Sequence, residues 1–353
     1  MPDAVLRVAL RRAIGQVRYL QPVPPKAADP LTAATYQQLE SDFGMLAPPV
    51  ALHAAVPPLL AACWLMLRES LVADAPVSRA TLEAVAAAVS AGNACPYCVT
   101  VHGATGQALA SIGDGRPEPL TTEVVNWVDL AARRHTAGYP PGDAAAAARL
   151  VGVLATFHYL NRMVNVFLAR SPLPGALPGM LRAPALQLLG RHAGATAGRH
   201  HPAGESLPLL PAATRRHRPA WAAADPILAE AFARATAAIE QTADVQVPRS
   251  VRQLLTELLS RWDGRPAGLD TRWLDEPLAG LPAGDRPAGR LALLTAFASY
   301  RVEDSQVATF RRSHPGDPAL LGLTSWASMA TARQIASWIS ADHGGSAQHR
   351  GNA

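Results

Sequence analysis

The sequence predicts an all-α protein. Hydrophobic residues make up 49% of the 353 residues, aromatic residues only 5%, and alanine dominates the apolar set, with leucine also common. Alanine and leucine are strong helix formers, whereas strands favour β-branched and aromatic residues. Apolar residues recur at helical spacing, and no segment alternates apolar and polar residues as a half-buried strand would. A chain of this length can bury a sizeable core without disulfides or metals.

Five helices are predicted in the first half of the chain. The first begins at the proline pair Pro57–Pro58, because proline is tolerated in the first turn of a helix. Ser78 is predicted to be the N-cap of the second helix, since its hydroxyl can accept a hydrogen bond from a free backbone N–H. The predicted ranges are residues 57–73, 78–91, 95 onward, 122–134 and 143–170.

A weak internal repeat organises the rest of the chain. Pro58-Leu-Leu-Ala matches Pro226-Ile-Leu-Ala, and Val77-Ser-Arg matches Val247-Pro-Arg in the same order. Two helical half-domains are therefore predicted, packed as a pseudo-symmetric pair. The predicted segments are an arm over 1–45 with one helix at 4–19, the first half over 46–180, a linker over 181–218 with one helix at 184–189, the second half over 219–340, and a frayed tail over 341–353.

Composition argues against several classes of protein. The net charge of +5 comes almost entirely from arginine, Lys26 being the only lysine, and no aromatic residues interleave with the basic cluster at 215–218. A nucleic-acid surface is therefore not predicted. The uncharged run at 47–67 contains four prolines, so no membrane-spanning helix is predicted there. Three cysteines, an odd and low number, together with an N-terminus that lacks an apolar signal core, predict a protein of the reducing cytoplasm.

One short segment carries the chemistry: Glu83, eleven intervening residues, Cys95-Pro96-Tyr-Cys98, three more residues and His102. A helix beginning at Pro96 puts both thiols at its N-terminus, where free N–H groups and the helix dipole stabilise a thiolate. His102 lies one turn beyond Cys98 on the same face and could take its proton. Glu83, from the preceding helix, could orient the imidazole as the third member of a catalytic triad does.

This spacing resembles the active-site signature of the AhpD-like alkylhydroperoxidases, within the carboxymuconolactone decarboxylase superfamily. The flanking segments Ser90-Ala-Gly-Asn93 and Phe157-His158-Tyr-Leu-Asn161-Arg162 are similar to that superfamily's peroxidase-related branch. The resemblance implies two tandem AhpD-like helical repeats, one of them without an active site. At the repeat offset, Gln253, Arg265, Gly268 and Arg272 replace the four chemical groups of the first half, so the second site is predicted to be inactive.

The resemblance also implies roles for single residues. Cys98 would be the peroxidatic thiol and Cys95 the resolving thiol, with Glu83 and His102 as the proton relay. Tyr97 stands where family members often carry a second histidine, and phenol is a poor base. Asn93 and His158 are further candidates for the pocket. The decarboxylases lack the dithiol, so lactone decarboxylation is not implied.

The implied reaction is reduction of alkyl hydroperoxides through a Cys95/Cys98 dithiol–disulfide cycle. It needs no cofactor or metal, and a lipoamide-like or thioredoxin-like dithiol would regenerate the enzyme, which the family resemblance implies to be a homo-oligomer. Four alternatives stay open on the sequence. They are a general thiol–disulfide oxidoreductase, a non-enzymatic redox sensor, a zinc protein using the CxxC motif and His102, and a superfamily enzyme with unrelated carbon chemistry.

Overall fold

Helices provide the regular secondary structure of this chain. The computed structural model describes residues 17–111, 119–173, 177–267 and 270–346, and within these ranges there is no strand. The all-α prediction is therefore confirmed. Residues 4–16 of the helix predicted in the arm, Gly268 and the last part of the predicted tail lie outside the described residues.

Fourteen α-helices occur within the described ranges. They are α1 (Pro30–Asp42), α2 (Pro48–Ala51), α3 (Pro57–Leu67), α4 (Arg79–Gly92), α5 (Pro96–Ala110), α6 (Pro119–Ala131), α7 (Ala144–Phe167), α8 (Gly179–Ala197), α9 (Pro226–Gln246), α10 (Arg249–Arg261), α11 (Asp275–Ala279), α12 (Arg286–Ala298), α13 (Asp304–Ser313) and α14 (Asp317–Ser346).

The five helices predicted in the first half correspond to α3 through α7. α3 starts at Pro57, and a single π-helical turn over Arg68–Val72 extends it close to the predicted end. The Ser78 hydroxyl accepts a hydrogen bond from the backbone N–H of Thr81 and caps α4, as predicted. Asp143 caps α7 in the same manner, through the N–H of Ala146. Local capping signals therefore define these helix starts.

The core lies around α3 and α7. Leu59 through Leu67 are buried without interruption, and nearly all of α7 is buried around its full circumference. A helix that is apolar all round must be covered on every side. α9 packs on α3 and α14 packs on α7, so the second half of the chain covers the first. None of the described helices is both long enough and apolar enough to cross a lipid bilayer.

A buried arginine fixes the N-terminal segment to this core. The Arg68 side chain is fully buried and donates to Asp42 at 2.7 Å, Glu69 at 2.8 Å and Glu205 at 2.7 Å. These carboxylates come from α1, the end of α3 and the loop after α8. Because a buried guanidinium needs partners for its donors, this network fixes three segments in place.

Three helices depart from the predicted elements. α1 lies in the segment predicted as an arm, and its Tyr36 and Leu39 are buried in the core. α8 begins before and ends after the helix predicted at 184–189 and packs against α5, although Pro184 lies inside it. α14 continues to Ser346, past the start of the predicted tail. Tertiary packing outweighs weak local propensity in α8. α1 instead begins with a local signal that the sequence analysis did not use, an Asp29 N-cap followed by Pro30. The tandem repeat and the domain boundaries stay predictions.

Candidate active site

The CxxC motif lies at the junction between α4 and α5. After α4, Ala94 turns the chain with a left-handed φ of 50°. The backbone N–H of Cys95 then donates to the carbonyl of Ser90 at 2.9 Å and closes the turn. Cys95 is the N-cap residue of α5, and Pro96 is its first residue. The helix start predicted from Pro96 therefore puts Cys95 and Cys98 at the positive end of the helix dipole.

Both thiols are free and buried, with Cys95 1% and Cys98 2% exposed. The thiol of Cys98 faces Cys95 and lowers its pKa, with help from the Cys98 backbone N–H and Asn161, against the effect of burial. The same contact, burial and the charge on Cys95 raise the pKa of Cys98 well above its ordinary value, although Asn161 and Ser90 oppose the shift. The contacts therefore favour a thiolate on Cys95 and a proton on Cys98.

Glu83 and His102 form a hydrogen-bonded pair below the thiols. Glu83 Oε2 lies 2.6 Å from His102 Nδ1, and Glu83 Oε1 accepts from Arg79 Nε at 2.8 Å. Glu83 is 1% exposed. Burial raises its pKa, but the charges of Arg79 and His102 outweigh burial, and the net pKa is lowered. The Phe157 ring meets the imidazole edge-on at 4.5 Å between centroids. The imidazole of His102 is therefore in contact with Phe157 as well as with Glu83.

An apolar cavity of about 70 Å³ reaches the second thiol. Cys98 and His102 line it together, and Cys95 does not. Tyr97 lines it as well, and burial, with a smaller effect from the cysteine charges, raises the pKa of its phenol. A phenol with a raised pKa stays protonated and can donate but not act as a base. The other lining residues are Phe43, Met45, Ala47, Pro48, Pro49, Val50, Leu67, Val101, Phe157, Leu160, Pro172 and Leu189.

The remaining two pocket candidates lie elsewhere. Asn93 Nδ2 lies 3.1 Å from His158 Nδ1 and donates to Asn161 Oδ1 at 3.0 Å. Asn161 in turn donates to Ser90 Oγ at 2.9 Å. Asn93 and His158 line a second, larger cavity with Arg162, and none of its lining residues is shared with the apolar cavity. The structure thus brings Tyr97 together with Cys98 and His102, and separates Asn93 and His158 from them.

Sequence reasoning missed two contacts of this site. Arg79 pairs with Glu83 at the i,i+4 spacing of one helix, a signal that the sequence does carry. Asn161, 66 residues beyond Cys95 in the chain, contacts both thiols, and only its place in the segment that resembles the family hinted at a role. Long-range contacts of this kind depend on how α7 packs against α4, which no local pattern encodes.

A metal centre was one of the alternatives. Within the described ranges, no group of three or more histidine, cysteine, aspartate or glutamate side chains is close enough to hold a metal ion. His102 directs Nδ1 to Glu83, which is a pairing typical of an oriented acid–base histidine.

A comparison with curated proteins finds one close relative of nearly the same length. The chain is 34% identical over 339 residues to a protein named alkyl hydroperoxide reductase Rv2159c from Mycobacterium tuberculosis. The matched region covers 92% of this chain and 95% of that protein. No family model matches the chain. No solved structure matches it either.

Proposed function

This chain belongs to the AhpD-like family of alkyl hydroperoxide reductases, and on that premise we propose that it reduces alkyl hydroperoxides with the Cys95/Cys98 dithiol. One observation carries the proposal. Two buried thiols at a helix N-terminus lie beside a buried Glu83–His102 pair, and Cys98 and His102 line the same apolar cavity. A thiol, a base and an orienting carboxylate are the groups that nucleophilic thiol chemistry requires.

The proposed cycle starts at Cys98, because it is the thiol that lines the cavity. Its proton passes to His102, and the Cys98 thiolate attacks the terminal oxygen of the hydroperoxide. The O–O bond breaks, Cys98 becomes a sulfenic acid, and the leaving alkoxide takes a proton from His102 and departs as the alcohol. Glu83 stabilises the imidazolium that exists between the two transfers.

Cys95 then resolves the intermediate. Its sulfur attacks the sulfenic sulfur of Cys98, a disulfide forms and the S–O bond breaks. The leaving hydroxide takes one proton, from the Cys95 thiol or, where Cys95 is a thiolate, from solvent, and departs as water. A dithiol reductant returns both cysteines to thiols by two exchange steps and is itself oxidised to a disulfide. Both cysteines are almost inaccessible, so a small lipoamide-like dithiol that enters the cavity suits the site better than a protein surface.

The apolar lining of the cavity favours hydroperoxides that carry an organic group. Phe43, Met45, Val50, Phe157 and Leu160 are apolar, and a hydroperoxide with an alkyl or aryl group buries that group against them. Hydrogen peroxide gains no such contact. We therefore propose faster reaction with cumene hydroperoxide than with hydrogen peroxide at equal concentration.

The proposal is tested by stopped-flow mixing of the reduced protein with cumene hydroperoxide, followed by tryptophan fluorescence and sulfenate trapping. The native protein should react, Cys95→Ser should accumulate sulfenate, and Cys98→Ser should be silent. Cys63→Ala is the matched control, because Cys63 is fully buried in α3, away from the site, and burial raises its pKa.

Two results would contradict parts of the proposal. Sulfenate that accumulates in Cys98→Ser but not in Cys95→Ser would reverse the two thiol roles and leave the peroxidase function intact. If no variant reacts faster than a free thiol while the native protein exchanges with small disulfides, the activity is that of a general thiol–disulfide oxidoreductase.

A further inference from the structure

A cavity of about 570 Å³ is lined by residues from both halves of the chain. Asn93, His158 and Arg162 line it from the first half, and Trp262 and Phe297 line it from the second. Cavities of this size hold small organic molecules, and an apolar wall with a few polar groups is typical of such sites. The proposed peroxide chemistry uses none of its lining residues.

Arg162 is the charged group inside it. Arg162 is 6% exposed, and no carboxylate of the described residues lies within ion-pair distance of it. All of its hydrogen-bond partners are neutral: the Ala296 carbonyl at 2.9 Å, the His158 carbonyl at 2.7 Å, His158 Nδ1 at 3.3 Å and Asn93 Oδ1 at 3.4 Å. Buried charges in proteins are normally paired, so an unpaired guanidinium on a cavity wall points to a missing anion.

The guanidinium still has donor capacity for a ligand. Nε donates to Ala296, and Nη1 makes the other three contacts, whereas Nη2 makes no hydrogen bond within the described part of the chain. Burial lowers the pKa of Arg162 to about 9, so the side chain remains charged at neutral pH. The free Nη2 amino group of a charged guanidinium can donate charge-assisted hydrogen bonds to a carboxylate oxygen.

The other titratable groups on the cavity wall do not neutralise this charge. Burial, and then the charge of Arg162, lower the pKa of His158 well below its ordinary value, which keeps the imidazole neutral. Asp129 and Arg133 line the cavity from the end of α6, and both are exposed, with opposite charges. Tyr300 completes the set and is also exposed. The wall therefore presents one net positive charge, located at Arg162.

We propose that this cavity binds a small organic carboxylic acid as its anion. The carboxylate pairs with Arg162 and reaches the amide of Asn93, while the apolar part of the ligand packs on Trp262 and Phe297. One positive charge and one free amino group match a monoanionic carboxylate better than a phosphate, which usually needs several cationic groups. The proposal does not depend on the peroxidase function, since it concerns binding alone.

The site also communicates with the dithiol through hydrogen bonds. Asn93 donates to Asn161, and Asn161 contacts both thiols and Ser90. A carboxylate that accepts a hydrogen bond from the Asn93 amide would compete with the hydrogen bonds from Asn93 to Asn161 and His158. The contacts of Asn161 with the thiols would then change as well. The thiols should therefore react at a different rate when the ligand is bound, and this rate is a second readout of occupancy.

The test compares isosteric pairs of probes on the reduced protein. Benzoate and butyrate are titrated against benzamide and butyramide by calorimetry, and by quenching of Trp262 fluorescence with Trp262→Phe as the baseline. We expect saturable binding of the acids and none of the amides. Arg162→Gln should weaken binding at least tenfold, whereas Arg312→Gln, at an exposed arginine of α13 that does not line the cavity, should change it less than twofold.

Three outcomes would overturn the proposal. They are the absence of saturable binding by any acid, equal binding of acids and amides, and inorganic phosphate binding as tightly as benzoate. Arg162→Lys, which keeps the charge and loses the free Nη2 donor, replaces Arg162→Gln if the latter does not fold. The comparison of acids with amides on the native protein needs no variant at all.

Discussion

Cys95 and Cys98 lie three residues apart at the start of one helix, yet their surroundings shift the two thiol pKa values in opposite directions. Cys95 receives the Cys98 thiol, the Cys98 backbone N–H and the Asn161 amide, all of which favour its anion. Cys98 is the donor in its contact with Cys95, and this contact and burial both raise its pKa. Cys98 also lines the apolar cavity. The contacts therefore favour the anion on the residue that does not line the cavity, and Cys98, the proposed peroxidatic thiol, has to lose a proton before it attacks.

This distribution predicts how the thiols titrate. The absorbance of thiolate at 240 nm should rise at a pH below the ordinary cysteine pKa in the native protein. Cys98→Ser should keep that low step, because a serine hydroxyl can still donate to Cys95. Cys95→Ser should lose it and titrate only at high pH, because burial raises the pKa of the remaining Cys98 thiol. A low step that survives in Cys95→Ser would assign the resting charge to Cys98.

The Glu83 carboxylate gives the second prediction at this scale. Glu83→Gln keeps the shape and an acceptor for His102 Nδ1, but removes the negative charge that stabilises the imidazolium. Loss of a proton relay typically lowers rates by about 10²-fold or more, and we expect that loss in the reaction with cumene hydroperoxide. Glu123→Gln, an exposed glutamate of α6, is the control. Equal rates in the two variants would exclude Glu83 from the relay, provided that circular dichroism shows both folded.

At the scale of helices, α5 depends on α8 for its position. A Cβ atom built on Gly190 of α8 would lie 2.6 Å from the carbonyl oxygen of Ala104 on α5, and one on Gly194 would lie 3.3 Å from the Ala108 methyl. The two helices therefore approach through glycines. α8 also supplies Leu189 to the lining of the apolar cavity. The segment predicted as a linker thus closes one side of the candidate site.

The glycine contact predicts a steric effect. Gly190→Ala should separate α8 from α5 and cost about 1–3 kcal/mol of unfolding free energy, the usual range for overpacking. Gly179→Ala in the same helix is the matched control, because nothing lies within 4 Å of a Cβ at that position. Urea denaturation of both variants measures the difference. If both variants have the stability of the native protein, the close approach of α8 and α5 does not exist.

The helices differ in how far the sequence predicts them. α3 to α7 start at proline, serine or aspartate signals and carry continuous apolar runs, so local chemistry specifies them. α1 also starts at such a signal, Asp29 followed by Pro30, although it lies in the segment predicted as an arm. α8 contains Pro184 and several glycines, so local propensity disfavours it. α8 therefore depends on its packing against α5. The contact of Asn161 with the thiols could not be predicted from local sequence either, because it depends on how α7 packs against α4.

At the scale of the whole molecule, the two halves share one interior. The hydroxyl of Tyr159 on α7 lies 2.8 Å from His53 Nε2 and donates to Ser325 Oγ of α14 at 3.2 Å. The amide of Asn165, also on α7, donates to Ser299 in the second half at 3.0 Å. Arg149 on α7 donates to Asp225 at 3.1 Å, just before α9. α7 thus contacts the second half of the chain along its length, and residues from both halves form one buried cluster.

This shared interior predicts that acid weakens the folded state well above the pKa of carboxylates. His53 is fully buried, and burial lowers its pKa from 6.5 to about 4. The unfolded chain therefore binds more protons than the folded chain between these values. The contribution of His53 to stability is present above pH 6.5 and is lost as the pH falls through about 4, by about 3 kcal/mol if the full shift is realised. The lowered pKa of His158 acts in the same direction.

His53→Gln separates this effect from general acid denaturation. The amide can still bond to Tyr159 but does not titrate, so unfolding free energy from urea denaturation should vary less between pH 6.5 and 4 than in the native protein. His135→Gln is the control, because His135 is exposed. The dependence of unfolding free energy on pH that remains in His53→Gln should become weaker still when His158 is also replaced by glutamine. The native protein and His53→Gln could instead show the same dependence of unfolding free energy on pH. That result would mean that His53 is accessible to protons in the folded state, which is incompatible with a closed interior between the two halves.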